Sequence, residues 1–103
     1  MTTPPLKFTF GTGPAIDGPE HVVQLARRLD EMSYPGLVLP DHLPYAVEPL
    51  TVLAGAARET ARLRLGTITL CNDFRHPVLL AKQIATLDVL SAGRAEIGIG
   101  AGH

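Results

Sequence analysis

The chain has 103 residues, 46% of them hydrophobic and 18% charged, with a formal net charge of −1. That balance describes one globular domain and excludes a disordered chain. Acids and bases are mixed along the sequence, so it carries no basic face for nucleic acid, and no apolar run approaches the span of about eighteen residues that crosses a membrane. Cys71 is the only cysteine, which rules out an internal disulfide and a multi-cysteine metal site. Residues 1–5 lack the basic and apolar segments of a secretory leader, and a cytoplasmic location is expected.

In chain order, Leu6 to Phe10 alternates apolar with polar and stops at Gly11, predicting a first strand. A loop rich in Gly, Pro and Ala spans residues 11–18. Asp17 with Glu20 has capping-box spacing and Pro19 suits a first helical turn, so a helix is expected to open here. Its apolar stripe is Val22, Leu25, Ala26, Leu29 and Met32, and Tyr34-Pro35-Gly36 breaks it. Gly36 to Pro40 is short and almost wholly apolar, as a strand covered on both faces should be. Pro49 opens a second helix with a stripe at Leu50, Leu53, Ala54, Ala57 and Ala61, leaving Arg58, Glu59 and Arg62 wet.

Leu65 to Leu70 predicts a third, buried strand. The polar loop 71–76 follows, then a helix opened by Pro77 and closed by Gly93. Its stripe is Leu80, Ile84, Leu87 and Val89 or Leu90, with Lys82, Gln83 and Asp88 outward. Ala95 to Gly100 is the fourth strand. Strands about thirty residues apart, alternating with helices, are the signature of a parallel α/β fold. Such βαβ units place chemistry at the C-terminal ends of their strands.

Three segments therefore stand out. Asp41-His42 follows strand two, where a histidine that titrates near neutral pH can exchange a proton with a substrate. Asp41 either orients that loop, caps a turn before Pro44, or approaches a ligand. The segment from Ile68 to Asn72 ends strand three. Cys71 reads as a small buried residue rather than a nucleophile, because no basic neighbour activates it. Arg75-His76-Pro77 admits a phosphate site at a helix N-terminus, but structural duty is the better reading, with Arg75 paired to Asp73. His21 is expected on the surface.

The third segment is Gly98-Ile99-Gly100-Ala101-Gly102. It is similar to half of a dinucleotide-binding glycine loop and to the first motif of adenosylmethionine-dependent methyltransferases. Both motifs need a following helix, which the sequence does not supply after Gly102. The glycines are expected instead to let a flat ring lie close to strand four.

Asp41-His42, the block from Asn72 to Arg94 and the final glycine-rich segment together resemble the N-terminal part of the luciferase-like monooxygenases, especially those using deazaflavin coenzyme F420. The resemblance covers residues 6–103. It implies an α/β fold comprising the first half of a (β/α)8 TIM barrel, four parallel strands and three helices, within a family fold of about 250 residues or more. The expected domain is a partial barrel over residues 1–103, truncated after strand four.

The resemblance also implies a hydride-transferring oxidoreductase acting on a small organic substrate, with coenzyme F420 favoured over FMN. His42 matches an active-site histidine, and Asp41 lies beside the cofactor. Ile68, Thr69, Cys71 and Asn72 match the wall against the cofactor ring, where some members have a non-proline cis peptide bond, here near Ile68–Thr69. Gly100, Ala101 and Gly102 are the contacts at the other end; His103 stands where relatives often carry a larger aromatic. The alternative is a non-catalytic half-barrel that self-associates or assembles with another chain through its open edges. A methyltransferase fragment is the lesser alternative.

Overall fold

The computed structural model of the chain describes residues 3–12 and 16–102. Its elements run β1 (Thr9–Gly11), α1 (Pro19–Glu31), β2 (Gly36–Leu39), α2 (Pro49–Glu59), β3 (Arg64–Cys71), a single 3-10 turn (Asn72–Phe74), α3 (Pro77–Leu90) and β4 (Ala95–Gly100). The strands form one parallel sheet in the order β1-β2-β3-β4. Each helix has a proline in its first turn, where the missing N–H has no intrahelical partner to lose. None of the described helices is long and apolar enough to cross a membrane.

The helices pack on one face of the sheet, and the core lies between. Val22, Ala26 and Leu29 of α1, Leu53 and Ala56 of α2, and Leu80 and Leu87 of α3 meet Leu37 and Leu39 of β2 and Leu65 and Leu70 of β3. The helical stripes are therefore buried as expected, except at their C-terminal ends. Met32 and Ala61 are exposed because α1 and α2 stop at Glu31 and Glu59, before those positions can turn inward, and Val89 and Leu90, on the last turn of α3, are exposed as well.

The opposite face, which would be the interior of a closed barrel, includes Gly66 and Gly98, where the backbone leaves no room for a side chain. A Cβ on Gly66 would meet the Glu96 carbonyl oxygen at 2.1 Å, and one on Gly98 the Thr67 carbonyl oxygen at 2.7 Å. Arg64 and Glu96 form an ion pair at 3.3 Å on this side.

Two local expectations are corrected. The first strand is Thr9–Gly11 rather than Leu6–Phe10, and Leu6 and Phe8 are exposed, since β2 offers partners only from Gly36 onward. The capping box does not form. Gly18 is the N-cap of α1, and the Asp17 backbone N–H donates to His21 Nδ1 at 3.4 Å on the surface.

Two polar side chains hold the β-strand entries. The Asp30 carboxylate, on the last turn of α1, accepts the backbone N–H groups of Ala61, Arg62 and Leu63 at 2.9 to 3.0 Å. Arg94, before β4, is buried and donates to Ser91 O, Thr60 Oγ1, Leu63 O, Ala57 O and Thr60 O. It thus satisfies carbonyls that the C-terminal end of α2 leaves without intrahelical partners.

Candidate functional site

The C-terminal ends of β2 and β3 converge on a cavity of about 410 Å³ lined by Asp41, His42, Ile68, Thr69, Cys71, Asp73, Phe74 and Gly102. Two features of β3 build its wall. Between Thr67 and Leu70 the register with β4 slips, so three steps along β3 match two along β4, from Ile97 to Ile99. Such a bulge carries one extra residue and turns side chains out of alternation. Consequently Leu70 returns to the core, while Ile68 and Thr69 are both exposed toward the cavity. The Ile68–Thr69 peptide bond is cis.

β4 approaches this wall closely. A Cβ on Gly100 would lie 2.5 Å from Thr69 Oγ1, and one on Gly102 would lie 3.2 Å from Cys71 Sγ. Gly102 has φ +87°, in the region that favours glycine.

Asp41 and His42 face opposite tasks. The Asp41 carboxylate is buried and accepts from Arg75 Nη1 at 2.7 Å, Arg75 Nη2 at 3.1 Å and the Cys71 N–H at 2.8 Å. Burial pushes this carboxyl up. The paired hydrogen bonds and positive charge of Arg75, with the Cys71 N–H, outweigh it and hold the group below its ordinary value. Arg75 also donates to Glu48, the N-cap of α2, whose other oxygen accepts the Thr51 N–H at 2.7 Å. Asp41 is therefore a loop anchor as well as part of the cavity lining.

His42 is half-buried, packs edge-on against Tyr45 with ring centroids 4.8 Å apart, and is part of the lining of the same cavity. The Tyr45 N–H closes the turn onto the His42 carbonyl at 2.9 Å.

Of the residues singled out in the sequence, Asp41, His42, Ile68, Thr69, Cys71 and Gly102 meet at this cavity. Gly100 stands behind Thr69. Asn72 and Ala101 are exposed and lie outside the lining, and His103 lies outside the described residues. Arg75 serves structure, as expected, but its partners are Asp41 and Glu48 rather than Asp73. His76 caps α3, its Nδ1 accepting the Val78 N–H at 3.2 Å.

Sequence reasoning missed Asp73 and Phe74, which the 3-10 turn swings to the cavity rim. No signal in the local sequence separates these from ordinary turn residues.

The chemistry of this lining suits a flat heteroaromatic ring. The cavity volume lies within the range of small-ligand sites. Ile68 offers an apolar wall, Thr69 a hydroxyl, and the side chain–free Cα of Gly102 permits close approach. No Lys or Arg lines it among the described residues, and the Arg75 guanidinium beside it is committed to two carboxylates. These residues fit the ring of a flavin-type cofactor and not its phosphate-bearing tail.

Four parallel strands alternating with three helices, with a cavity at the strand C-termini, make up the N-terminal part of a TIM barrel. Residues 4–103 match the luciferase-like monooxygenase family, and the chain belongs to that family. The F420-dependent glucose-6-phosphate dehydrogenase of Nakamurella multipartita is 31% identical over 111 residues, covering 100% of this chain and 33% of that protein. The coenzyme F420 dependent tetrahydromethanopterin reductase from Methanopyrus kandleri superposes with a TM-score of 0.85 at 32% identity, over 94% of this chain and 27% of its own. The oxygenating constituent of 3,6-diketocamphane monooxygenase from Pseudomonas putida, solved in complex with FMN, also gives 0.85, at 20% identity, over 94% and 30%. That last likeness is one of fold. The chain spans about a third of the length of these relatives, matching their N-terminal part.

Proposed function

We propose that the chain supplies the ring-binding side of an F420-dependent oxidoreductase site that transfers a hydride to or from a small organic substrate. The observation that carries this reading is the convergence of His42, Ile68 and Thr69 on one cavity at the strand C-termini. When bound, the deazaflavin ring supplies the hydride chemistry. Ile68 and Thr69 form the surface on which the ring rests, with Gly102 at its edge and Gly100 making room behind for Thr69. His42 holds or releases the proton that accompanies the hydride. F420 is favoured over FMN because the relatives above 30% identity named for their cofactor use F420, whereas the FMN complex shares fold alone. A cytoplasmic location belongs to the same reading.

The test is to titrate the full chain with F420 and with FMN, following cofactor fluorescence. A saturable change with F420, weaker with FMN and reduced in His42→Ala, is expected. The affinity should be weak and turnover small, because the described residues provide no phosphate grip. Binding of neither cofactor would remove this proposal.

A second reading, a half-barrel that works only in association with itself or another chain, has its own observation. β1 and β4 are the edge strands of the described sheet, and Ile99 on β4 is 53% exposed. Size-exclusion chromatography with light scattering decides it: a monodisperse monomer with micromolar cofactor affinity would dismiss this reading.

A further inference from the structure

We propose that Arg75 is a positioning residue for His42, acting through Asp41 to hold the β2–α2 loop against the end of β3. The inference rests on the functional reading of the cavity above, and it assigns a role to a side chain that lies outside that cavity's lining.

The geometry is that of a three-way fastening. Arg75 sits in the loop between β3 and α3, with its side chain only 11% exposed and that of Asp41 4%. Its guanidinium holds both Asp41 oxygens, and also reaches Glu48 at the N-terminus of α2. Asp41 in turn accepts the Cys71 N–H, two residues beyond Thr69. The residue directly before His42 is therefore tied to the strand that forms the ring wall, and the far end of the same loop, at Glu48, is tied to the same guanidinium. His42 lies between the two fixed points. Its backbone has little freedom to withdraw from the cavity while both ties hold.

The fork shape matters as much as the charge. A guanidinium presents several coplanar N–H donors and can bridge two carboxylates at once, whereas a lysine ammonium is a point charge on a flexible stem. Arg75→Lys retains the charge that neutralises buried Asp41 but cannot reproduce the bridge to Glu48. A structural role alone would register in this variant as lost stability; a positioning role also registers at the His42 ring in a chain that stays folded. Holding groups in a productive arrangement before the ligand arrives contributes to affinity by reducing what binding must order.

The test uses the full chain and its Arg75→Lys and Glu48→Gln variants, with the His42 imidazole C–H resonances as the direct readout. Far-UV circular dichroism should be unchanged in both variants. In Arg75→Lys the His42 resonances should move or broaden without any ligand, and F420 affinity should fall by about tenfold. Glu48→Gln, at a half-exposed partner, should move the same resonances in the same direction by a smaller step. A folded Arg75→Lys chain with unmoved His42 resonances overturns the proposal, as does an unfolded Arg75→Lys chain accompanied by unmoved resonances in Glu48→Gln. If the unmodified chain binds neither F420 nor FMN, the functional reading falls, while the His42 resonances of the ligand-free chain still decide the role of Arg75.

Discussion

Thr69 occupies the space that a side chain at Gly100 would need: a Cβ built on Gly100 falls 2.5 Å from Thr69 Oγ1. The two residues come from neighbouring strands, and their closeness sets how near β4 lies to the cavity wall. Elsewhere on this face the obstacle is backbone. A Cβ on Gly66 would fall 2.1 Å from the Glu96 carbonyl oxygen, which the β3–β4 ladder holds in place. Gly66→Ala should therefore destabilise the chain by about 1–3 kcal/mol, whereas Gly100→Ala, which needs only a threonine hydroxyl to move, should cost less than about 1 kcal/mol. Urea unfolding of the two variants measures the difference. An inverted order would show that the β3–β4 spacing yields more readily than the Thr69 side chain.

Arg94 is expected to dominate the stability of the second half of the sheet. Its five acceptors include Ala57 O and Thr60 O at the end of α2 and Leu63 O just before β3. Arg94→Ala strands these buried oxygens and should cost about 3–5 kcal/mol, within reach of complete unfolding for a chain of this size. Arg94→Lys should recover only part of that, since an ammonium cannot span the same acceptors. A loss below about 1 kcal/mol in Arg94→Ala, measured by denaturant unfolding, would mean that water replaces the guanidinium without penalty.

Acid should unfold the chain through three identifiable carboxylates. For Asp30, burial pushes the carboxyl up, but the three backbone N–H groups of residues 61–63 and the charge of Arg62 pull it below its ordinary value. Burial likewise pushes Asp41 and Glu48 up, but Arg75 with the Cys71 N–H outweighs it at Asp41, and the Thr51 N–H with Arg75 outweighs it at Glu48. A carboxylate with a depressed folded pKa contributes stability that is fully present above its unfolded value and is lost as pH falls through the folded one. The ordinary values are 3.8 for Asp and 4.5 for Glu, so stability should be flat above the Glu value and decline below it. Asp30→Asn should cost about 1–2 kcal/mol at neutral pH and flatten the acid limb, because an amide cannot accept all three N–H groups at full strength. Thermal midpoints between pH 3 and 7 provide the measurement, and an acid limb unaltered by Asp30→Asn would refute the assignment.

These stabilising contacts also mark where the sequence stops being readable. The helices were legible because burial follows local periodicity: Val22, Ala26 and Leu29 recur at helical spacing and are buried together. Pro19, Pro49 and Pro77 announced all three helix starts, and the positions of Asp41-His42 and Ile68-Thr69 followed from strand ends. The partners of Arg75, Arg94 and Asp30 were not legible. They lie about thirty residues away along the chain, and only the parallel packing of successive βα units brings them into reach. Arg75 has an acid two residues earlier, at Asp73, and sequence proximity favours that pairing. The fold instead turns Asp73 to the cavity and aims Arg75 at Asp41. Likewise the first strand could not be delimited locally, since the alternation in residues 6–10 is satisfied without a neighbour to pair with Leu6 or Phe8.

Ile68 separates the two ways in which a wall residue can matter. Ile68 is 66% exposed and lines the cavity, so Ile68→Ala removes little buried surface from the ligand-free chain. Stability should change by no more than about 0.5 kcal/mol. A flat ring resting on this side chain would cover the carbons that the substitution deletes. At about 0.8 kcal/mol for each fully buried methylene, and with the ring covering only one side, the loss comes to about 1–1.5 kcal/mol, or roughly tenfold in affinity. Fluorescence titration with F420, paired with urea unfolding of the same variant, reads both quantities. Unchanged affinity in a normally stable Ile68→Ala chain would place the ring elsewhere than on this wall.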